Sequence, residues 1–286
     1  MWPTRNRTRP FLFDRLDNLN ARSIAKLTPL IFKHQRRYSK EPIRTKFISL
    51  NNVSLHTARA FLSYECARQV LFFSCYYDGP AQPLEYLKAL RAPHPRSLCF
   101  LWGSSIQSAS SVYEMLTAQL MPTVTRLINL RYPTEEDIEK NRYSDNMFQT
   151  YNRHNWELLS SASRGQKDAQ AAFKNLTHIA ITAEEALSMV ESLVCCAPNL
   201  RYIAVIHTDT TNLRGMIPYD AKWHFGRVVS AMRTKGTRRF VVIGHANACP
   251  EDLLDTAKQV DWWTWIERLI DAGYYAETWA KWEDSE

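Results

Sequence analysis

Short apolar runs, four to six residues long and rich in β-branched and aromatic side chains, recur along the chain between more polar segments. They fall at Phe47-Ile48-Ser49-Leu50, Val70-Leu71-Phe72-Phe73, Leu98-Cys99-Phe100-Leu101-Trp102 and Leu127-Ile128-Asn129-Leu130, then around Ile179 and Ile203, and finally at Phe240-Val241-Val242-Ile243. Runs of this length and composition predict buried strands. Helical periodicity appears between them. Ser54 to Tyr64 places Leu55, Ala58, Phe61 and Leu62 on one face. Glu184 to Cys196 does the same through Leu187, Val190 and Val194, and stops before Pro198. Strand and helix alternating at so short a pitch predict either a solenoid or a doubly wound sheet.

An internal repeat decides between the two. Asn175-Leu176-Thr177-His178-Ile179-Ala180-Ile181 returns 24 residues later as Asn199-Leu200-Arg201-Tyr202-Ile203-Ala204-Val205. Both copies fit the L-x-x-L-x-L strand core of a leucine-rich repeat, whose period is roughly 20–29 residues. The earlier runs are spaced by 23, 28 and 29 residues, in the same range. Such a unit buries its apolar face only against stacked neighbours. The expected fold is therefore α/β: a leucine-rich-repeat-like solenoid with a curved parallel sheet, outer helices, and helical N- and C-terminal caps. On its open face His178 and, one repeat later, Tyr202 are candidate partner-binding residues, with Ile206 beside them.

Two stretches break the period. Leu127 to Ile179 spans 52 residues with no clear strand, and its polar centre, 134–171, is either a degenerate repeat or an inserted loop with some helix near Trp156-Glu157-Leu158-Leu159. The loop is the preferred reading. A second insertion, 208–232, stretches the next spacing to 37. Insertions in such arrays collect on one face and often touch ligands. The tail is the other outlier, with five of the nine tryptophans in the last 25 residues. An exposed terminal layer needs a cap, and tryptophans also serve as interface anchors; capping is the preferred reading, so 261–286 is assigned as a Trp-rich C-terminal cap. The organisation expected is then 1–46 as an N-terminal arm or cap, 47–260 as repeats, and 261–286 as the cap.

Charge changes the picture only at the N-terminus. The chain carries +7 overall, yet residues 1–46 hold 12 Lys/Arg against Asp14, Asp17 and Glu41. Arg5, Arg7, Arg9, Arg36 and Arg37 mark this basic arm. Three readings stay open for it: a nucleic-acid or acidic-partner footprint, a mitochondrial presequence, which Asp14 and Asp17 disfavour, and the solvated side of a helical cap, which is preferred. No apolar run approaches the roughly 20 residues that span a bilayer. The opening residues form no signal-peptide core, so an intracellular chain, cytoplasmic or nuclear, is expected. The sequons at Asn6, Asn52 and Asn175 are then chance matches. The six cysteines show no C-x-x-C spacing and are read as reduced, buried thiols.

Chemistry is sparse. Eight histidines are scattered without H-E-x-x-H or a metal-ligand pattern. His207 with Asp209 makes a weak carboxylate–imidazole pair. No G-x-S-x-G, Walker loop or G-x-G-x-x-G is present. Neither a cofactor nor a metal is expected, and no catalytic residue is assigned.

The Leu-Thr-His-Ile-Ala-Ile strand, the Ala197-Pro198-Asn199-Leu200 turn, the Arg239-Phe240-Val241-Val242-Ile243 strand and the closing Asp261-Trp262 with Tyr275-Ala276-Glu277 and Trp279 carry a resemblance. Residues 44–286 resemble the leucine-rich-repeat-like, F-box-associated proteins of mushroom-forming fungi. Phe13, Leu16, Ile24, Leu27 and Leu30 resemble the second half of an F-box, without its leading Leu-Pro helix. The resemblance implies a substrate receptor that docks to the Skp-type adaptor of a cullin ubiquitin ligase. Three function classes follow: a protein-recognition solenoid, a polyanion binder acting through the basic arm, and an enzyme whose site is assembled from distant residues. The first is the expectation.

Overall fold

The computed structural model describes residues 14–37, 45–63, 70–77, 83–90, 95–102, 123–131, 173–182, 197–207, 240–244 and 249–273. Eight strands run in chain order: β1 (Arg15–Leu19), β2 (Phe47–Asn51), β3 (Phe72–Tyr77), β4 (Ser97–Trp102), β5 (Arg126–Arg131), β6 (His178–Thr182), β7 (Tyr202–His207) and β8 (Phe240–Gly244). They form one sheet in the order β1-β2-β3-β4-β5-β6-β7-β8. Every neighbouring pair is parallel. The two copies of the repeat lie side by side, with His178 paired to Tyr202, Ile179 to Ile203 and Ile181 to Val205. The chain is thus an α/β fold built on one parallel sheet. Its described helices are α1 (Ala21–Arg37), α2 (Leu55–Leu62), α3 (Pro83–Ala89), α4 (Pro250–Leu254) and α5 (Thr256–Asp271).

Parallel sheets bury both faces, and the strands read accordingly. One face carries Ile48, Leu50, Phe73, Leu98, Phe100, Leu127, Ile179, Ile181, Ile203, Val205 and Phe240, all buried. Nearby, Ser54 caps α2 by accepting the Thr57 N–H, and α2 buries Ala58, Phe61 and Leu62. Tyr86 of α3, fully buried, donates its hydroxyl to Val53 O at 2.7 Å.

The second face holds a row of mostly small side chains in register: Ser49, Ser74, Cys99, Ile128, Ala180, Ala204 and Val241. Into that space fold α4 and α5. Helix α4 packs on β2, β3 and β4, and α5 on β7, β8 and β2. Leu253, Leu254, Trp263, Ile266 and Ile270 close one apolar cluster with Cys99, Ile128, Ala180, Ala204, Ile206 and Val241. Asp255 starts α5 by accepting the Ala257 and Lys258 N–H groups.

Two expectations are corrected here. The N-terminal segment is not wholly helical, because Arg15–Leu19 is the first strand of the sheet. Its alternation of buried Leu16 and Leu19 with Arg15, Asp17 and Asn18 is too polar and too short to stand out as an apolar run. Asn18 takes a left-handed φ of 53°, which asparagine tolerates, and the β1–β2 register shifts there. Second, the C-terminal helix does not merely close the end of the array. It lies across the sheet face expected to be open, because the row of small side chains makes room for a helix bearing Trp263. Tyr64, the helix at 184–196, the insertions at 134–171 and 208–232, and the tryptophans Trp279 and Trp282 lie outside the described residues.

Candidate functional site

Helix α5 meets the sheet along one stripe of residues four apart. Asp255, at its start, accepts from Arg15 Nη2 at 2.8 Å. One turn on, Gln259 accepts from Ser97 Oγ at 3.1 Å and donates to Ser74 Oγ at 3.3 Å and Leu253 O at 3.0 Å. Trp263 is fully buried, and Glu267 reaches Arg126 and His178. Spacing of four keeps all four on one side of a helix.

His178 sits at the centre of this contact. Its Nε2 lies 2.9 Å from Glu267 Oε1, which Arg126 Nη2 also approaches at 3.3 Å. Its Nδ1 lies 2.7 Å from Thr177 Oγ1. The ring stacks on Tyr202, with centroids 4.7 Å apart and planes 19° from parallel, and meets the edge of Trp263 at 5.1 Å. Burial, helped by the Arg126 charge and opposed by Glu267, pushes the imidazole pKa down to about 4. At neutral pH the ring is therefore neutral. A carboxylate at Nε2 requires the proton there, so Nε2–H donates to Glu267 and Nδ1 accepts the Thr177 hydroxyl. With both nitrogens engaged and so low a pKa, the ring is a poor general base. What the cluster does is fix α5 in register on the sheet.

The candidate partner-binding residues are thus brought together, but not on an open surface. His178 and Ile206 are 8% and 1% exposed, and Tyr202 is half-buried beneath α5. The reading of His178 as a surface residue is corrected: the helix that covers it starts 78 residues further along the chain, which local pattern does not reveal. Of the basic arm, Arg36 is exposed on α1 and Arg37 closes that helix. Arg5, Arg7 and Arg9 lie outside the described residues. Cys75 and Cys99 are free, buried thiols whose pKa burial pushes up. Cys249 is half-buried, also free, and raised chiefly by its contact with Glu251. Among the described residues no three His, Cys, Asp or Glu side chains gather as a metal site. No described helix is long and apolar enough to cross a membrane.

An open surface exists elsewhere, at the N-terminal ends of the strands. The residue before each strand lies in one row, because Ser97, Arg126, His178 and Tyr202 are register partners. Backbone bonds follow the same steps, from Arg96 N to Leu71 O, Thr125 N to Arg96 O, Thr177 N to Thr125 O and Arg201 N to Thr177 O. Above this row lies an open trough of about 610 Å³. Its walls are Leu71, Arg96, Thr125, Thr177 and Arg201, backed by Thr123, Asn175 and Asn199, with no carboxylate among them. Arg96 and Arg201 are exposed and enter no ion pair among the described residues. Sequence reading missed these two arginines. The available signal was positional: Arg201 occupies in the second repeat the place of Thr177 in the first.

Compared with known proteins, the chain matches no family model, no curated protein and no solved structure.

Proposed function

We propose that the chain is a leucine-rich-repeat-like solenoid that works as a non-catalytic protein-recognition module. The observation that carries this reading is the N-terminal edge row. Successive strands, paired in chain order, each contribute one solvent-facing position to a continuous line from Leu71 to Arg201. Repeat arrays use such lines of equivalent positions as extended binding surfaces. The sheet face beneath α5 is occupied within the chain itself, whereas the edge row stays accessible among the described residues. A photo-crosslinking side chain at Thr125 tests this: protein adducts that survive nuclease treatment support it, and adducts with nucleic acid alone overturn it.

The adaptor reading has narrower support. Leu16 and Ile24, which resemble F-box positions, are buried in the fold. On α1 the large exposed apolar residues are Leu30 and Phe32, at 55% and 45%. We propose that contact with a Skp-type adaptor, which would make the chain a ligase substrate receptor, runs through these two. Co-elution of the purified chain with a purified adaptor, lost in Leu30→Asp with Phe32→Asp, is the expected result. Failure to co-elute removes the ligase role and leaves the recognition reading untouched.

A further inference from the structure

We infer that the edge trough binds an extended acidic peptide segment, with carboxylates on residues about four apart; this rests on the protein-recognition reading and names the partner's chemistry. The charges set the ends. Arg96 and Arg201 stand in one row, three strand steps apart through Thr125 and Thr177. Neighbouring strands lie about 4.8 Å apart, so these three steps separate the two backbones by about 14 Å. An extended chain advances about 3.4 Å per residue, so four residues cover the same distance. Positions four apart in an extended chain also point the same way. Both guanidiniums are unpaired among the described residues, whereas Lys46, further along the same edge, is tied to Asp14 at 3.3 Å. A guanidinium presents a planar fork of donors that a carboxylate matches.

The floor between them selects for a peptide rather than a phosphate backbone. Thr123 Oγ1 donates to Pro95 O at 3.2 Å and Thr125 Oγ1 to Arg96 O at 3.1 Å. The Thr177 hydroxyl lies 2.7 Å from His178 Nδ1 and 3.0 Å from Thr125 O. All three hydroxyl protons are therefore committed to the protein. These three hydroxyls can then only accept from a ligand. A peptide brings backbone N–H donors to meet them. A phosphodiester brings only acceptors and would face them unsatisfied.

The test uses the full chain and a fluorescently labelled eleven-residue peptide, rich in Ser and Val, with two glutamates four residues apart, read by anisotropy. Binding is expected, falling at least tenfold in Arg96→Glu with Arg201→Glu, and at least tenfold when the glutamates become glutamine or stand two apart. Arg36→Glu should leave it unchanged. Because both trough arginines are exposed, an unmoved Tm checks that the double variant is folded. Three results overturn the inference: no binding of the peptide, binding indifferent to Arg96 and Arg201, or poly-uridylate RNA binding more tightly than the peptide through the same two arginines. If protein adducts at Thr125 form equally in the double variant, recognition stands and the acidic-segment inference falls.

Discussion

Glu267 Oε1 lies 2.9 Å from His178 Nε2, joining residues 89 apart in sequence and tying the C-terminal helix to the middle of the sheet. Arg126 shares the same oxygen at 3.3 Å. A half-buried carboxylate between a guanidinium and a neutral imidazole is well satisfied, and removing it leaves both partners short. Glu267→Ala is expected to cost about 1–3 kcal/mol, the penalty of orphaned buried polar groups. Glu267→Gln, which keeps an acceptor for one partner, should cost less. Urea unfolding of the two variants measures the difference.

Acid should loosen the molecule through His178. The unfolded chain takes up a proton near pH 6.5, while the folded imidazole resists protonation down to about pH 4. Between those values the unfolded state holds more protons, so stability falls as the pH is lowered. The contribution is fully present above pH 6.5 and is lost as the pH falls towards the folded value. His178→Phe keeps the stack on Tyr202 and removes the titration. Its Tm should decline less steeply than the parent's between pH 6.5 and 4. Identical slopes would show that other groups set the acid response.

Among the described residues Trp263 is the largest fully buried side chain of the second face, and its indole Nε1 has no hydrogen-bond partner there. Trp263→Ala is expected to cost about 3–5 kcal/mol, as large buried aromatics do. Trp263→Phe loses ring volume but also removes an unpartnered buried N–H, itself worth about 1–3 kcal/mol. The two effects oppose, so its stability should lie within about 1 kcal/mol of the parent. Deleting 261–286 removes Trp263, Ile266 and Ile270 together and bares Cys99, Ile128 and Ala204. Aggregation or partial unfolding is the expected outcome, read by light scattering and near-ultraviolet circular dichroism.

What could be read in the sequence, and what could not, divides along local against distant information. The Ile179 and Ile203 copies gave strands and pairing at once, because identical periodicity at a fixed spacing forces stacking. The run at Val70 located its strand two residues early, since Val70 and Leu71 are apolar before the pleat begins at Phe72. β1 was missed because its two buried leucines are interleaved with Arg15, Asp17 and Asn18. The covering of His178 was missed for a different reason. It depends on Ser74, Ala180 and Ala204 being small together, and each is unremarkable alone. Arg96 and Arg201 form a pair only once strand order places them three steps apart.

Ile203 tests the stacked core directly. It is 1% exposed, paired to Ile179 on one side and Phe240 on the other. Ile203→Ala should cost about 2–5 kcal/mol. A loss within about 0.5 kcal/mol would place the residue at a surface and sink the pairing.

The basic arm sets the last prediction, because polyanion binding is the alternative to protein recognition. Counterion release makes the affinity for a duplex fall with salt, with a slope near 0.9 per phosphate contacted. Arg36 is exposed on α1, and the same helix buries Ile24 and Ile31. Its cations thus stand on the solvated side of a structural helix, as expected of charge that is merely hydrated. Retention on heparin is expected to be weak and lost by physiological salt. Reversing Arg5, Arg7, Arg9, Arg36 and Arg37 should abolish that residue of binding while leaving the acidic-peptide affinity and the Tm unmoved. Sub-micromolar duplex binding at physiological salt, dependent on these five arginines, would instead make the arm the functional site and the trough incidental.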